Sequence, residues 1–137
     1  MTSPSVRSPR EIVEQLFETL PVRDPDAFTA ALAADAVFEI PFPIPGMPQR
    51  IQGREAIREH LAQRWSGLSG IEIHGIYPTV YETTDPAVLF VENDVDMTRA
   101  GTRARVHTSV NRVHVRDGEV TLFRDYMDTA RIAGLSG

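Results

Sequence analysis

The chain contains no cysteine, so neither a disulfide framework nor a thiolate metal site can form. It has no basic surplus: 14 Lys and Arg stand against 19 Asp and Glu, for a net charge of −5. That balance is wrong for a phosphate backbone, and no nucleic acid partner is expected. No apolar run approaches the roughly 18 residues of a membrane span. The opening MTSPSVRSPR has no apolar signal core. The expectation is a cytoplasmic protein with no membrane partner. Internal repeats and low-complexity segments are absent. The glycines are scattered, which excludes a phosphate loop and a dinucleotide fingerprint, and there is no G-x-S-x-G elbow. A length of 137 residues suits one domain, 1–137, with 1–7 as a flexible tail.

What is present reads in order as helices and then strands. Ser8-Pro9-Arg10-Glu11 combines a cap, a proline at the first helical position and a capping box. Ile12, Val13, Leu16, Phe17 and Leu20 follow as one apolar stripe, which stops before Pro21. Asp24-Pro25-Asp26 starts a second, short helix with Phe28, Ala31 and Leu32, ending near Ala34. Ala36–Ile40 reads as a strand. Pro41 to Pro48 holds four prolines in eight residues and cannot be regular. This stiff, apolar segment either caps the core or rims a pocket. A third helix runs from Arg54 to about Ser66, with Ile57, Leu61, Trp65 and Leu68 as its buried stripe. His60 and Arg64 fall within the same arc.

From Ile71 the period changes to two. Strands are predicted over Ile71–Tyr81, Ala87–Thr98, Arg103–Arg116 and Glu119–Asp128, with a short helical tail after them. Gly75 and Pro78 imply a bend or bulge in the first. The order α, α, β, α and four antiparallel strands gives an α+β fold. A curved sheet wrapped around the N-terminal helices would enclose a cavity suited to a small ligand.

The polar residues then divide by face. Glu92, Asp94 and Asp96 share one face of their strand. They form a solvated face or a salt-bridge ladder to Arg103, Arg105 or Arg112. A single metal ion cannot bind all three, because they spread over about 13 Å at 3.3 Å per residue. On the next strand His107, Ser109, Asn111, Val113 and Val115 share a face. On the last, Phe123, Asp125 and Met127 share one face, and Val120, Leu122 and Tyr126 the other. Asp125 either pairs with an Arg or serves as an acid/base at a cavity floor. A carboxylate, His and Asn set around apolar walls suits proton transfer on a small, mostly apolar molecule, with no metal and no cofactor. Val110 and Tyr126 point away from that cavity and need cover, which a homodimer would supply.

Three segments carry a resemblance: Ala34 to Pro41, Gly53-Arg54-Glu55-Ala56-Ile57, and Asp117 to Asp128. They resemble the nuclear transport factor 2-like superfamily, in its SnoaL-like branch, over about residues 9–130. The resemblance implies a cone-shaped α+β barrel, often dimeric through its outer sheet face. Limonene-epoxide hydrolase is similar in the last strand, with a catalytic Asp where Asp125 stands and a second matching Asp96. Its intervening Arg is replaced by Asp94, and its water-holding Tyr and Asn by Phe38 and Ile40. The Asp base and Tyr of ketosteroid isomerase, near Ile40 and Leu16, are missing. SnoaL polyketide cyclases place an acid/base Asp at Asp125. Phenazine biosynthesis A/B proteins are similar in Glu59-His60, Glu82 to Pro86 and Arg124 to Met127, with a pocket His matching His60.

The resemblance implies a cofactor-independent tailoring enzyme of secondary metabolism. Its reaction would be acid/base cyclisation, condensation or isomerisation of an apolar carbonyl or epoxide substrate. Asp125 would carry the proton, with Asp96, His107 and Asn111 orienting substrate or stabilising charge and His60 assisting. Phe38, Ile40, Phe42, Trp65, Phe123 and Met127 would line the pocket. The alternatives are an epoxide hydrolase, with Asp96 and Asp125 handling a water, and a non-catalytic small-molecule-binding module.

Overall fold

The computed structural model describes residues 7–67 and 70–128. Leu68 and the tail expected after Asp128 lie outside the described residues, as do residues 1–6. Helix α1 spans Pro9–Glu18. Its capping box is formed: the Glu11 N–H donates to Ser8 Oγ at 3.2 Å, and the Ser8 N–H donates back to Glu11 Oε1 at 3.4 Å. Ile12, Val13, Leu16 and Phe17 are buried, as the stripe requires.

Helix α2 is only Pro25–Thr29, and strand β1 already runs over Leu32–Glu39. The sequence reading carried this helix to Ala34. Pairing overrides it: Leu32 lies opposite Val120 in a parallel ladder, and the Val120 N–H donates to the Ala31 carbonyl at 2.9 Å. A short strand β2, Arg50–Gln52, pairs antiparallel with β1 and was not anticipated. Pro41 to Pro48 joins the two strands. Ile44 and Met47 pack against the core and also line the cavity, so both readings of that segment hold together. Gly53, at φ +98°, turns the chain into α3, Arg54–Ser66.

Strands β3 (Ile71–Glu82), β4 (Val88–Arg99), β5 (Thr102–Arg116) and β6 (Glu119–Met127) complete a six-stranded sheet ordered β2-β1-β6-β5-β4-β3. Pro78 is tolerated because β3 is an edge strand. The last strand sits inside the sheet, parallel to β1 and antiparallel to β5, so the sheet is mixed.

Besides an irregular stretch of β1 between Leu32 and Val37, three single-residue register shifts bend the sheet. Each leaves one extra residue, His74 on β3, Thr108 on β5 and Thr121 on β6. A bulge curves a strand and re-aims the side chains beyond it. The Thr121 bulge turns Val120 into the core, where it is fully buried, and not outward with Leu122 and Tyr126 as simple alternation predicts. The helices fill the concave side of this curved sheet. Phe123 lies at the centre of the packing, within 5.4–6.0 Å of the Phe17, Phe28 and Phe38 rings.

Candidate functional site

A cavity of about 790 Å³ opens between the concave sheet face, α3 and the proline-rich segment. That volume is typical of a small-molecule site. Phe38, Ile40, Trp65, Phe123 and Met127 line it, as the sequence reading expected. Asp125, Asn111 and His60 line it too.

Asp125 reaches the cavity because β6 alternates cleanly from Phe123 to Met127 beyond the bulge. Directly across on β5 stands Asn111, 1% exposed. The Ser109 hydroxyl donates to Asn111 Oδ1 at 3.1 Å. This fixes the amide so that its N–H₂ faces the Asp125 carboxyl, to which it hydrogen-bonds. The other carboxyl oxygen, Oδ1, is buried with no partner among the described residues. Burial pushes the Asp125 pKa up to about 7, against the opposing pull of the Arg64 charge and the Asn111 hydrogen bond.

His60 presents its ring 6.2 Å from that of Phe38. Its Nε2 is buried and has no partner among the described residues. Burial, aided by the Arg64 charge, holds its pKa below the ordinary value, so the ring is neutral at pH 7. Arg64 follows one turn later on the same face. Its guanidinium donates to the thioether sulfurs of Met47 at 2.9 Å and Met127 at 3.9 Å. Asn93, 6% exposed, adds a third unpartnered buried atom, Oδ1. Among the described residues, the unpartnered buried side-chain atoms are those of His60, Asn93 and Asp125, and all three residues line this cavity.

Three expected site residues are not there. Asp96 lies on the opposite face of β4, in an ion pair with Arg103 at 2.8 Å. The Arg103 hydrogen bond holds its pKa below the usual carboxylate value. His107 also faces outward, its side chain 92% exposed and hydrogen-bonded to Asp94. The Thr108 bulge is the cause: Ser109 and Thr108 line the cavity, and the next residue toward the turn is flipped out. Phe42 is 52% exposed and packs edge-on against Tyr126, 5.9 Å between centroids, outside the cavity. Asp96 and Asp94 thus form a salt-bridge ladder, with Arg105 at 3.4 Å from Asp94, while Glu92 is exposed. Conversely, Asn93 was missed. Its signal was legible in Leu89-Val91-Asn93-Val95-Met97, one polar residue within an apolar alternation. Arg64 keeps the arc of α3 that its spacing predicts and lines the cavity.

The raised pKa of Asp125 links its proton to stability. In the unfolded chain the carboxyl titrates near 3.8, and in the fold near 7. The folded state therefore holds the proton more tightly. That contribution is complete below 3.8 and is lost as pH rises through about 7. Asp125→Asn has no such proton to lose. Its stability relative to the unsubstituted protein should rise between these two pH values, measured by urea unfolding across the range. A pH-independent difference would contradict the buried carboxyl.

A family model described as the SnoaL-like domain matches residues 13–123. A PhzA/B-like protein of Pseudomonas aeruginosa, itself uncharacterised, is 28% identical over 132 residues, 89% of this chain and 85% of its own. The crystal structure of TerC co-crystallised with polyporic acid is similar at a TM-score of 0.74, with 22% identity over 93% of this chain and 96% of that one. An LEH-like epoxide hydrolase of M. tuberculosis is similar at 0.65, with 23% identity over 98% of this chain and 89% of that one. At these identities the two structures speak for the fold alone, the nuclear transport factor 2-like α+β cone. The matched family model covers most of the sheet and all three helices save the first turn of α1, and the chain belongs to the SnoaL-like domain family.

Proposed function

We propose that this protein is a cofactor-independent tailoring enzyme of secondary metabolism, moving a proton on a small, largely apolar carbonyl or epoxide substrate. Asp125 is the acid/base group. The observation that carries this reading is the coincidence of His60 Nε2, Asn93 Oδ1 and Asp125 Oδ1, unpartnered and buried, around one cavity. Leaving a buried polar atom unpaired costs free energy. Three around one space are best explained by a ligand that pairs with them.

The chemistry follows from the environment. A carboxyl with a pKa of about 7 is present in both protonation states at neutral pH. It can take a proton from the substrate and return it, cyclising, condensing or isomerising according to substrate. Asn111 and Ser109 hold it in position. Neutral His60 offers either an N–H or a lone pair to a polar substrate group. The aromatic floor keeps out water and sustains the raised pKa.

The two-aspartate hydrolase is less well supported, because Asp96 is paired to Arg103 on the other face of the sheet. A binding module would use the same cavity without turnover. Asp125→Asn separates the two. With a substrate found among carbonyl- and epoxide-bearing compounds, turnover should fall ~10²–10⁴-fold, while the melting curve shows a folded protein. Near-normal turnover would remove Asp125 from the mechanism.

The proposal includes a homodimer through the outer sheet face, where Val110, Tyr77 and Tyr81 are exposed. Obligate interfaces bury roughly 2,000 Å² or more. Light scattering at micromolar concentration should give twice the chain mass, and a monomer would contradict it.

A further inference from the structure

The proton-transfer reading leaves one charged group of the cavity unused, Arg64. It lies in the last turn of α3 and is partly buried. A guanidinium has five N–H donors and remains charged at any ordinary pH. Among the described residues its hydrogen bonds go to two thioether sulfurs, on Met47 and Met127. Sulfur is a weak acceptor. None of the described ion pairs includes Arg64. Its burial opposes the charged form, which Asp125 favours only through its field.

A partly desolvated cation with soft, poorly accepting neighbours is costly unless an anion completes it. Met47 stands on the proline-rich rim and Met127 at the end of β6, so the guanidinium is held between two cavity walls. A thioether has three rotatable bonds and can yield to a better ligand. Asp125 becomes neutral on taking up its proton, so it does not cancel the cation permanently.

We propose that Arg64 is the anion receptor of this cavity, and that the substrate carries a delocalised oxyanion, a carboxylate or an acidic enol, on an apolar ring-sized body. This deepens the small-molecule reading above and rests on it. The guanidinium fork matches two oxygens of such a group and fixes its plane as well as its position. Seated there, the body of the molecule lies against Phe38, Trp65 and Phe123, within the same cavity as Asp125 and His60.

Trp65 is the single tryptophan of the chain and lines the cavity, so its fluorescence reports occupancy without turnover. The probes are 2-naphthoate and its neutral isostere 2-naphthamide. The unsubstituted protein should bind the naphthoate more tightly, on the order of tenfold or more. Arg64→Gln should abolish this preference and leave the amide's affinity nearly unchanged. Arg64→Lys, which keeps charge without the fork, should retain part of it. Melting curves of both variants establish that they are folded. Equal affinity for the two probes, or a preference that survives in Arg64→Gln, would overturn the inference and leave the small-molecule reading standing. Quenching by neither probe would overturn both.

Discussion

The carboxyl of Asp125 is desolvated by the packing that makes the fold, and the account of this protein depends on that one constraint. Phe123, two residues before it on β6, is the ring on which Phe17, Phe28 and Phe38 converge. The same strand therefore anchors the core and delivers the acid. Because β6 lies between β1 and β5, water has no route to Asp125 through a sheet edge. What reaches the carboxyl comes through the cavity. Burial raises its pKa, while Asn111 and the field of Arg64 limit the rise, and the balance falls near neutrality. A deeper or wholly apolar setting would keep the group protonated, and a wetter one would leave it an ordinary carboxylate.

Much of this was legible in the sequence. The capping box of α1, the arc shared by Ile57, His60, Leu61 and Arg64, and the alternation Phe123-Asp125-Met127 each follow from local rules, and the structure keeps them. The inward-facing Asn111 was legible for the same reason. The resemblance to the SnoaL-like branch agreed with those local readings, and the matched family model bears it out.

Two side chains depart from the expected face where one residue is inserted against a partner strand. Strict alternation put His107 beside Ser109 and Val120 beside Leu122. The Thr108 and Thr121 bulges reverse both, and neither is marked by a glycine. A bulge depends on the register of two strands, so one strand's pattern does not show it. Asp96 is kept from the cavity for a different reason. Asp96 keeps its predicted face with Glu92 and Asp94, and Arg103 and Arg105 occupy that face from the neighbouring strand. The sequence reading had this ladder as an alternative to the catalytic role. Strand β2 and the early start of β1 also depend on pairing between distant segments, which outweighs weak helix propensity over a few residues.

The fold holds the Asp125 carboxyl in an environment that makes it half-protonated at neutral pH. Carbon-13 NMR of the protein labelled at the aspartate side-chain carboxyls, with Asp125→Asn to assign the resonance, observes that proton directly. The account predicts one aspartate titrating near 7, absent from the variant. A midpoint for Asp125 near the ordinary 3.8 would contradict it.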